Sequence, residues 1–216
     1  MDATFLFADI AGFTALTEAH GDEDAAQTAA GFCDDVRRVL PEYGGEHVKN
    51  IGDALMLRIP QPAAAVRLGL RVAHEMMHEH GSPSVRIGLH HGPAVHRDGD
   101  YYGAAVNLAA RISGAASAGD VLMTASTAAL AGTIPGVVFE ARGRRQLRHI
   151  PEPVELVAAV RAGGPAAREL ALDPVCRMAV DPAHAAGRLV HRDETYWFCS
   201  LECAAAFAKS PDRYPA

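Results

Sequence analysis

The chain has 216 residues, 49% hydrophobic and 21% charged, with a net charge of −6. Those shares sit near the globular average, which excludes global disorder and a collagen repeat, and the length predicts one large domain or a medium domain with a small companion. The acidic balance argues against a nucleic-acid binder, which needs clustered Lys and Arg against phosphate. Charge breaks every apolar run well before ~18 residues, so no membrane-spanning helix is expected. Residues 1–8 carry an acid where a signal peptide has a basic start. Four cysteines are too few for a disulfide scaffold. The expectation is a soluble, cytoplasmic protein with reduced thiols.

Thr4–Ala8 is a short apolar run, a buried strand by its length. Asp9 follows, before Ile10-Ala-Gly12-Phe-Thr14, a Gly-containing turn that opens a helix. Asp22 to Leu40 is helical, with Asp-Glu-Asp in a first turn that favours negative charge. Cys33 falls within that helix and reads as core. Glu46–Asn50 and Ala54–Arg58 flank Gly52-Asp53, a hairpin signal. Pro62 to His80 is a helix on the spacing of Val66, Leu70, Ala73 and Met77, which leaves His74, His78 and His80 on a solvated face. Val85–Leu89 is a strand, Ala104–Ala115 a helix, and Val121–Met123, Val137–Glu140 and Val154–Val160 further strands. This order predicts an α+β fold of the ferredoxin-like βαββαβ kind, with helices on one face of an antiparallel sheet. Residues 161–170 contain a Gly-Gly-Pro break without apolar periodicity and read as a linker. They divide a larger domain, 1–160, from a small segment, 171–216. The acidity lies in the first part, with 13 basic and 19 acidic residues against 7 and 7 in the rest.

In the split βαββαβ sheet the first strand is central and neighbours the hairpin, so Asp9 and Asp53 meet at one sheet end. Two such carboxylates suit a hard cation held together with substrate phosphates, and the amides after Asp9 suit a phosphate. Alternatively, Asp9 is a helix cap and Asp53 a turn residue. Asn107 and Arg111 are four apart on an Ala-rich helix and share one side, where an amide and a guanidinium can hold sugar and phosphate. An ordinary solvated helix side has the same spacing.

Together, Phe7-Ala-Asp9-Ile-Ala-Gly-Phe-Thr14, Val48-Lys-Asn-Ile-Gly-Asp53, Gly88-Leu-His-His-Gly92 and Asp100-Tyr-Tyr-Gly103 running into Val106-Asn-Leu-Ala-Ala-Arg111 resemble the class III nucleotidyl cyclase catalytic domain. The similarity covers about residues 2–160. It implies that Asp9 and Asp53, with the backbone carbonyl of Ile10, hold two Mg²⁺ or Mn²⁺ ions per site. Lys49 and Asp100 match the pair that reads the purine edge, and a Lys donor with a carboxylate acceptor suits adenine. Asn107 matches the ribose-orienting residue and Arg111 the transition-state residue. The family's late lysine on the terminal phosphates falls at Leu147-Arg148-His149, so Arg148 stands in for it. The implied partners are ATP and a second copy of the chain in a head-to-tail homodimer, each site drawing on both subunits. Only seven residues separate Gly92 from Asp100, as in the short-armed bacterial subgroup.

Residues 171–216 resemble the YHS domain, a small treble-clef-like module associated with heavy-metal handling. The match rests on Asp173-Pro-Val-Cys176-Arg-Met178 and Phe198-Cys199-Ser-Leu-Glu-Cys203, and Arg177 stands where that module usually has Gly. Cys176, Cys199 and Cys203, with Met178 nearby, form a candidate soft site for Zn²⁺ or Cu⁺, with His184 or His191 as the fourth ligand. The other reading makes the three cysteines small buried residues. The whole reads as an adenylate cyclase with a metal-sensing C-terminal module. The rivals are a guanylate cyclase and a non-catalytic nucleotide- or metal-binding regulator.

Overall fold

The computed structural model describes residues 1–76, 83–162 and 171–214. Its main sheet has seven strands. In chain order they are β1 (Asp2–Ile10), β2 (Glu46–Ile51), β3 (Ala54–Ile59), β4 (Val85–Pro93), β7 (Val121–Thr124), β8 (Val137–Arg145) and β9 (Val154–Arg161). Between β4 and β7, β5 (Val95–Arg97) and β6 (Asp100–Tyr102) make a separate short arm. The sheet order is β2-β3-β1-β4-β7-β9-β8. Its first four members are all antiparallel and have the connectivity of the split βαββαβ arrangement.

β1 is apolar at odd and even positions alike, so a layer must cover each of its faces. Leu6, Ala8 and Ile10 point into a core with Leu55, Leu57 and Ile59 of β3. Phe32, Cys33 and Val36 of α2 (Asp22–Val39) and Val66, Leu68 and Leu70 of α3 (Pro62–Leu70) close that core. Cys33 is a core residue here. Ala3, Phe5 and Phe7 point the other way, onto Ala105, Val106 and Ala109 of α4 (Ala104–Ala115).

The structure therefore corrects the expectation of helices on one face of an all-antiparallel sheet. β7 runs parallel to β4. A parallel pair needs a crossover connection, and α4 supplies it on the opposite face. α4 lies directly on the strand backbone because Gly88 has no side chain. A Cβ there would come within 2.1 Å of the Ser113 nitrogen and 2.6 Å of the Ala109 oxygen.

α3 runs on through a π-helical turn, Arg71–Glu75, to Met76. The rest of the helix predicted to His80, with His78 and His80, lies outside the described residues, as do positions 163–170 of the linker. His74 is not on a solvated face. It is half-buried, and its Nε2 lies 2.9 Å from the Gly119 carbonyl.

The C-terminal segment forms two small hairpins, β10 (Ala171–Leu172) with β11 (Ala179–Val180) and β12 (Gly187–His191) with β13 (Glu194–Phe198). Among the described residues, the short α5 (Ala125–Ala131) of the larger domain is followed by one more α-helix, α6 (Leu201–Lys209), in this segment. Val175, Cys176, Phe198, Cys203 and Phe207 form its core. Leu16 of α1 (Phe13–His20) and Ala25 of α2 belong to the same cluster, so the small module is seated on the larger domain.

Candidate active site and a cysteine cluster

α4 covers β1 from Ala3, whose partner Gly92 lies against Ala105, to Phe7, whose partner is Gly88. Asp9 is the next residue on that face. It emerges from under the helix with its side chain 18% exposed. Ala54 is its partner in β3, and Asp53 occupies the two-residue turn before Ala54. The two carboxylates are thus neighbours by register. Burial, and then the Asp9 carboxylate, push the Asp53 carboxyl above its usual range. Like charges held this close call for a cation.

Arg86 supplies one in this structure. It pairs with Asp9 across β1 and β4, and its Nη2 and Nε lie 2.5 and 2.7 Å from Asp9 Oδ2. The sequence reading missed Arg86. Its signal lay in strand register: an antiparallel β1–β4 pair sets Arg86 opposite Asp9. Ile10 is 2% exposed with its side chain in the core, which leaves only its backbone to act at this end of the sheet.

Lys49 of β2 and Asp100 of β6, fifty-one positions apart, come together. Lys49 Nζ lies 2.5 Å from Asp100 Oδ2 and 5.9 Å from the centroid of the Tyr102 ring. The hydrogen bond from Lys49 holds the Asp100 carboxyl below its usual range. Asp100 Oδ1 also accepts from the Tyr101 amide at 2.8 Å. Asn107 and Arg111 stand exposed one turn apart on α4, away from the buried Val106 and Ala109. Arg148 is exposed in the β8–β9 loop. Its neighbour Leu147 packs against Ile112 of α4, which brings the loop to that helix. Among the described residues, no hydrogen bond or ion pair joins Asp9 or Asp53 to Asn107, Arg111 or Arg148.

The second cluster lies in the C-terminal module. Cys176 Sγ is 3.3 Å from Cys199 Sγ, and Cys199 Sγ is 3.8 Å from Cys203 Sγ. All three are free thiols. Neither histidine expected as fourth ligand joins them. His184 is 78% exposed and bonded to Asp181, and His191 stands edge-on to Phe207. The imidazole that does approach is His20, at the end of α1, with Nε2 3.4 Å from Cys203 Sγ and 3.8 Å from Cys199 Sγ. Sequence reading missed it because the partners lie 183 and 179 positions apart.

Residues 1–156 match the adenylate and guanylate cyclase catalytic domain family. The chain belongs to that family. It is 35% identical over 156 residues to a pH-sensitive adenylate cyclase of Mycobacterium tuberculosis, a match covering 71% of this chain and 39% of the relative. It is 31% identical over 117 residues to an adenylate cyclase of Streptomyces coelicolor, covering 54% of this chain and 31% of the relative. The chain thus spans well under half of these relatives' length. Among solved structures, the adenylyl cyclase CyaB from P. aeruginosa has the same fold, with a TM-score of 0.65 and 24% identity over 74% of this chain and 94% of the other. The cyclase match ends before the cysteine cluster begins. No helix among the described residues is long and apolar enough to cross a membrane.

Proposed function

We propose that this chain is an adenylate cyclase, converting ATP to 3′,5′-cyclic AMP and pyrophosphate. The ribose 3′-oxygen attacks the α-phosphorus in line, its proton leaves to solvent, and the bond to the pyrophosphate oxygen breaks. The observation that carries the reading is the pair Asp9 and Asp53, set side by side at the sheet end with a cationic group already on Asp9. These carboxylates, with the Ile10 carbonyl, suit two Mg²⁺ or Mn²⁺ ions. Bound there, such ions supply charge neutralisation on phosphate and an acidified 3′-hydroxyl.

The remaining roles fall to the chain's own side chains. Lys49 donates to adenine N1 and Asp100 accepts from the N6 amine. Their contact at 2.5 Å supports a shared task, and guanine presents the reverse pattern, which counts against GTP. Asn107 orients the ribose, and Arg111 stabilises charge on the phosphorane-like transition state. Arg148 contacts the terminal phosphates as a fork where a lysine would be a point charge. The separation of the carboxylates from Asn107, Arg111 and Arg148 within one chain supports a head-to-tail homodimer with composite sites. A reduced thiol cluster and an ATP substrate fit a cytoplasmic setting. The C-terminal segment reads as a YHS module that handles a soft metal. The complete residue set counts against a non-catalytic regulator.

The test is incubation of the purified chain with ATP or GTP and Mn²⁺, with Asp53→Ala as control. Cyclic AMP from the parent protein alone is expected. Cyclic GMP formed in excess over cyclic AMP, or equal turnover by the control, overturns the reading.

A further inference from the structure

The cysteine cluster has the dimensions of a coordination shell. Four atoms, the Sγ of Cys176, Cys199 and Cys203 and the Nε2 of His20, all lie within 4.8 Å of one another. A tetrahedral cation with bonds of ~2.3 Å to sulfur and ~2.0 Å to nitrogen sets sulfurs about 3.8 Å apart and sulfur to nitrogen about 3.5 Å. The observed 3.8 Å for Cys199–Cys203 and 3.4 Å for Cys203–His20 match those edges, and the 3.8 Å for Cys199–His20 is somewhat longer. The Cys176–Cys199 separation of 3.3 Å is far longer than a disulfide at ~2.05 Å.

The surroundings fix the ligands before any ion arrives. Asp173 is fully buried, and its carboxylate accepts from the amides of Val175 and Cys199 at 2.8 Å and of Cys176 at 3.4 Å. One carboxylate thereby ties together the two loops that carry Cys176 and Cys199. Cys203 is locked by the Ser200 cap, whose Oγ accepts from its amide at 3.1 Å.

His20 belongs to the catalytic domain. It ends α1, the helix that leaves the Ala11–Gly12 turn after β1. A second contact lies at the other end of that helix. Arg177, which follows Cys176, has φ +63°, and a Cβ at Gly12 would come within 2.5 Å of the Arg177 Cβ. The module thus touches both ends of α1.

We infer that Cys176, Cys199, Cys203 and His20 hold one Zn²⁺ ion in a closed four-ligand site, and that this ion fastens the C-terminal module to α1 of the cyclase domain. Three thiolates and one imidazole without an open position are the donor set of a structural zinc site. The inference rests on the metal-handling reading of the module but not on the cyclase activity. Its new content is that the fourth ligand comes from the other domain, so the ion bridges them.

The test uses the full-length reduced chain, freed of metal and titrated with Co²⁺, then Zn²⁺. One Co²⁺ per chain is expected, with intense tetrahedral visible bands and thiolate charge-transfer absorption, all abolished by one equivalent of Zn²⁺. His20→Ala is expected to weaken Zn²⁺ affinity at least tenfold and to alter the Co²⁺ bands, whereas His184→Ala and His191→Ala leave both unchanged. In hydrogen exchange, Zn²⁺ is expected to protect the amides of residues 13–20 in the parent chain but not in His20→Ala. No tetrahedral Co²⁺ spectrum in the parent chain overturns the zinc site, and the absence of Cu⁺ binding as well overturns the metal-handling reading. A normal spectrum that His20→Ala leaves intact, with unchanged affinity, overturns the bridge and leaves a metal confined to the module. Binding of Cu⁺ with no response to Zn²⁺ or Co²⁺ overturns the assignment of the ion.

Discussion

The molecule has two clusters of donor groups for which we propose a cation, and they are built in opposite ways. At the sheet end, two half-buried carboxylates and a guanidinium sit on strand and turn positions fixed by register, open to solvent on one side. Where the C-terminal module meets α1, three of its thiols and the imidazole of His20 gather beside a buried core with no strand register to place them. Hard oxygen donors with an open side suit a cation that shares its coordination with a phosphate substrate. A set of three sulfurs and one imidazole that leaves no position open suits one that holds structure. On the roles proposed above, the contrast teaches that a site for substrate is left accessible and electrostatically tense, while a site for structure has its ligands fixed locally.

The contrast breaks most sharply at Asp53. Asp53→Ala removes one carboxylate from the open site and is expected to lower cyclic AMP formation by about 10³-fold or more, since charge neutralisation on phosphate is worth several kcal/mol and each ~1.4 kcal/mol is tenfold. Folding should be unaffected, because removing Asp53 relieves a carboxyl pushed up by burial and by Asp9. Retained activity in the presence of Mn²⁺, measured as cyclic AMP per chain, would show that the open site is ornamental to the chemistry.

Next in size is Arg111. Arg111→Ala is expected to cost about 10²–10³ in kcat with a smaller change in KM, as for other transition-state donors. The dimer sharpens this. Asp53→Ala and Asn107→Ala proteins, each inactive alone, should regain partial activity on mixing, because one composite site of the mixed dimer is intact. No recovery after subunit exchange has been demonstrated by mass spectrometry would refute the head-to-tail arrangement.

Legibility followed the same divide. β1, the Gly52-Asp53 hairpin and the neighbouring strands could be read directly, because a short apolar run and a turn dipeptide are local signals. The meeting of Asp9 with Asp53 followed from topology. α4 was read as a helix but set on the wrong face, since nothing in the local sequence says which side of a doubly apolar strand a helix covers. Gly88 carried that information, as the position where α4 lies on bare backbone. Three of the four atoms in the cysteine cluster were visible as a spacing. The fourth, His20, ends a short helix in another domain, and sequence spacing carries no trace of such a contact. His191 and His184 were nearer in sequence and are turned elsewhere.

The border between the two sites is Gly12. It has φ +78° and faces Arg177. Gly12→Ala combines a left-handed residue, costing ~1–2 kcal/mol, with a clash against the Arg177 side chain. The expected result is a loss of ~1–3 kcal/mol in urea unfolding, together with reduced activity, because the displaced turn directly follows Asp9 and Ile10 at the end of β1. Arg177→Gly on that background should restore part of the stability by removing the clash and a second left-handed side chain. Additive losses in the double variant would show that the module does not bear on this turn.

The smallest effect lies within the sheet, at His90 of β4. Burial, and then the neighbouring His91, hold its imidazole below the ordinary histidine value. Its Nδ1 lies 3.0 Å from Thr124 Oγ1, on the strand that joins β4 to the rest of the sheet. A histidine whose folded pKa is depressed binds its proton more readily in the unfolded chain. Its contribution to stability is therefore present above the unfolded value of ~6.5 and is lost as pH falls from there toward the folded value. The thermal midpoint should decline between pH 7 and pH 5.5, and His90→Asn, which cannot titrate yet keeps an acceptor near Thr124, should decline less over the same range. Asp100 titrates below that window, because its hydrogen bond from Lys49 lowers its pKa, so it does not mimic the effect. Identical slopes for the two proteins would mean that another group, outside this buried ring, sets the acid sensitivity of the sheet.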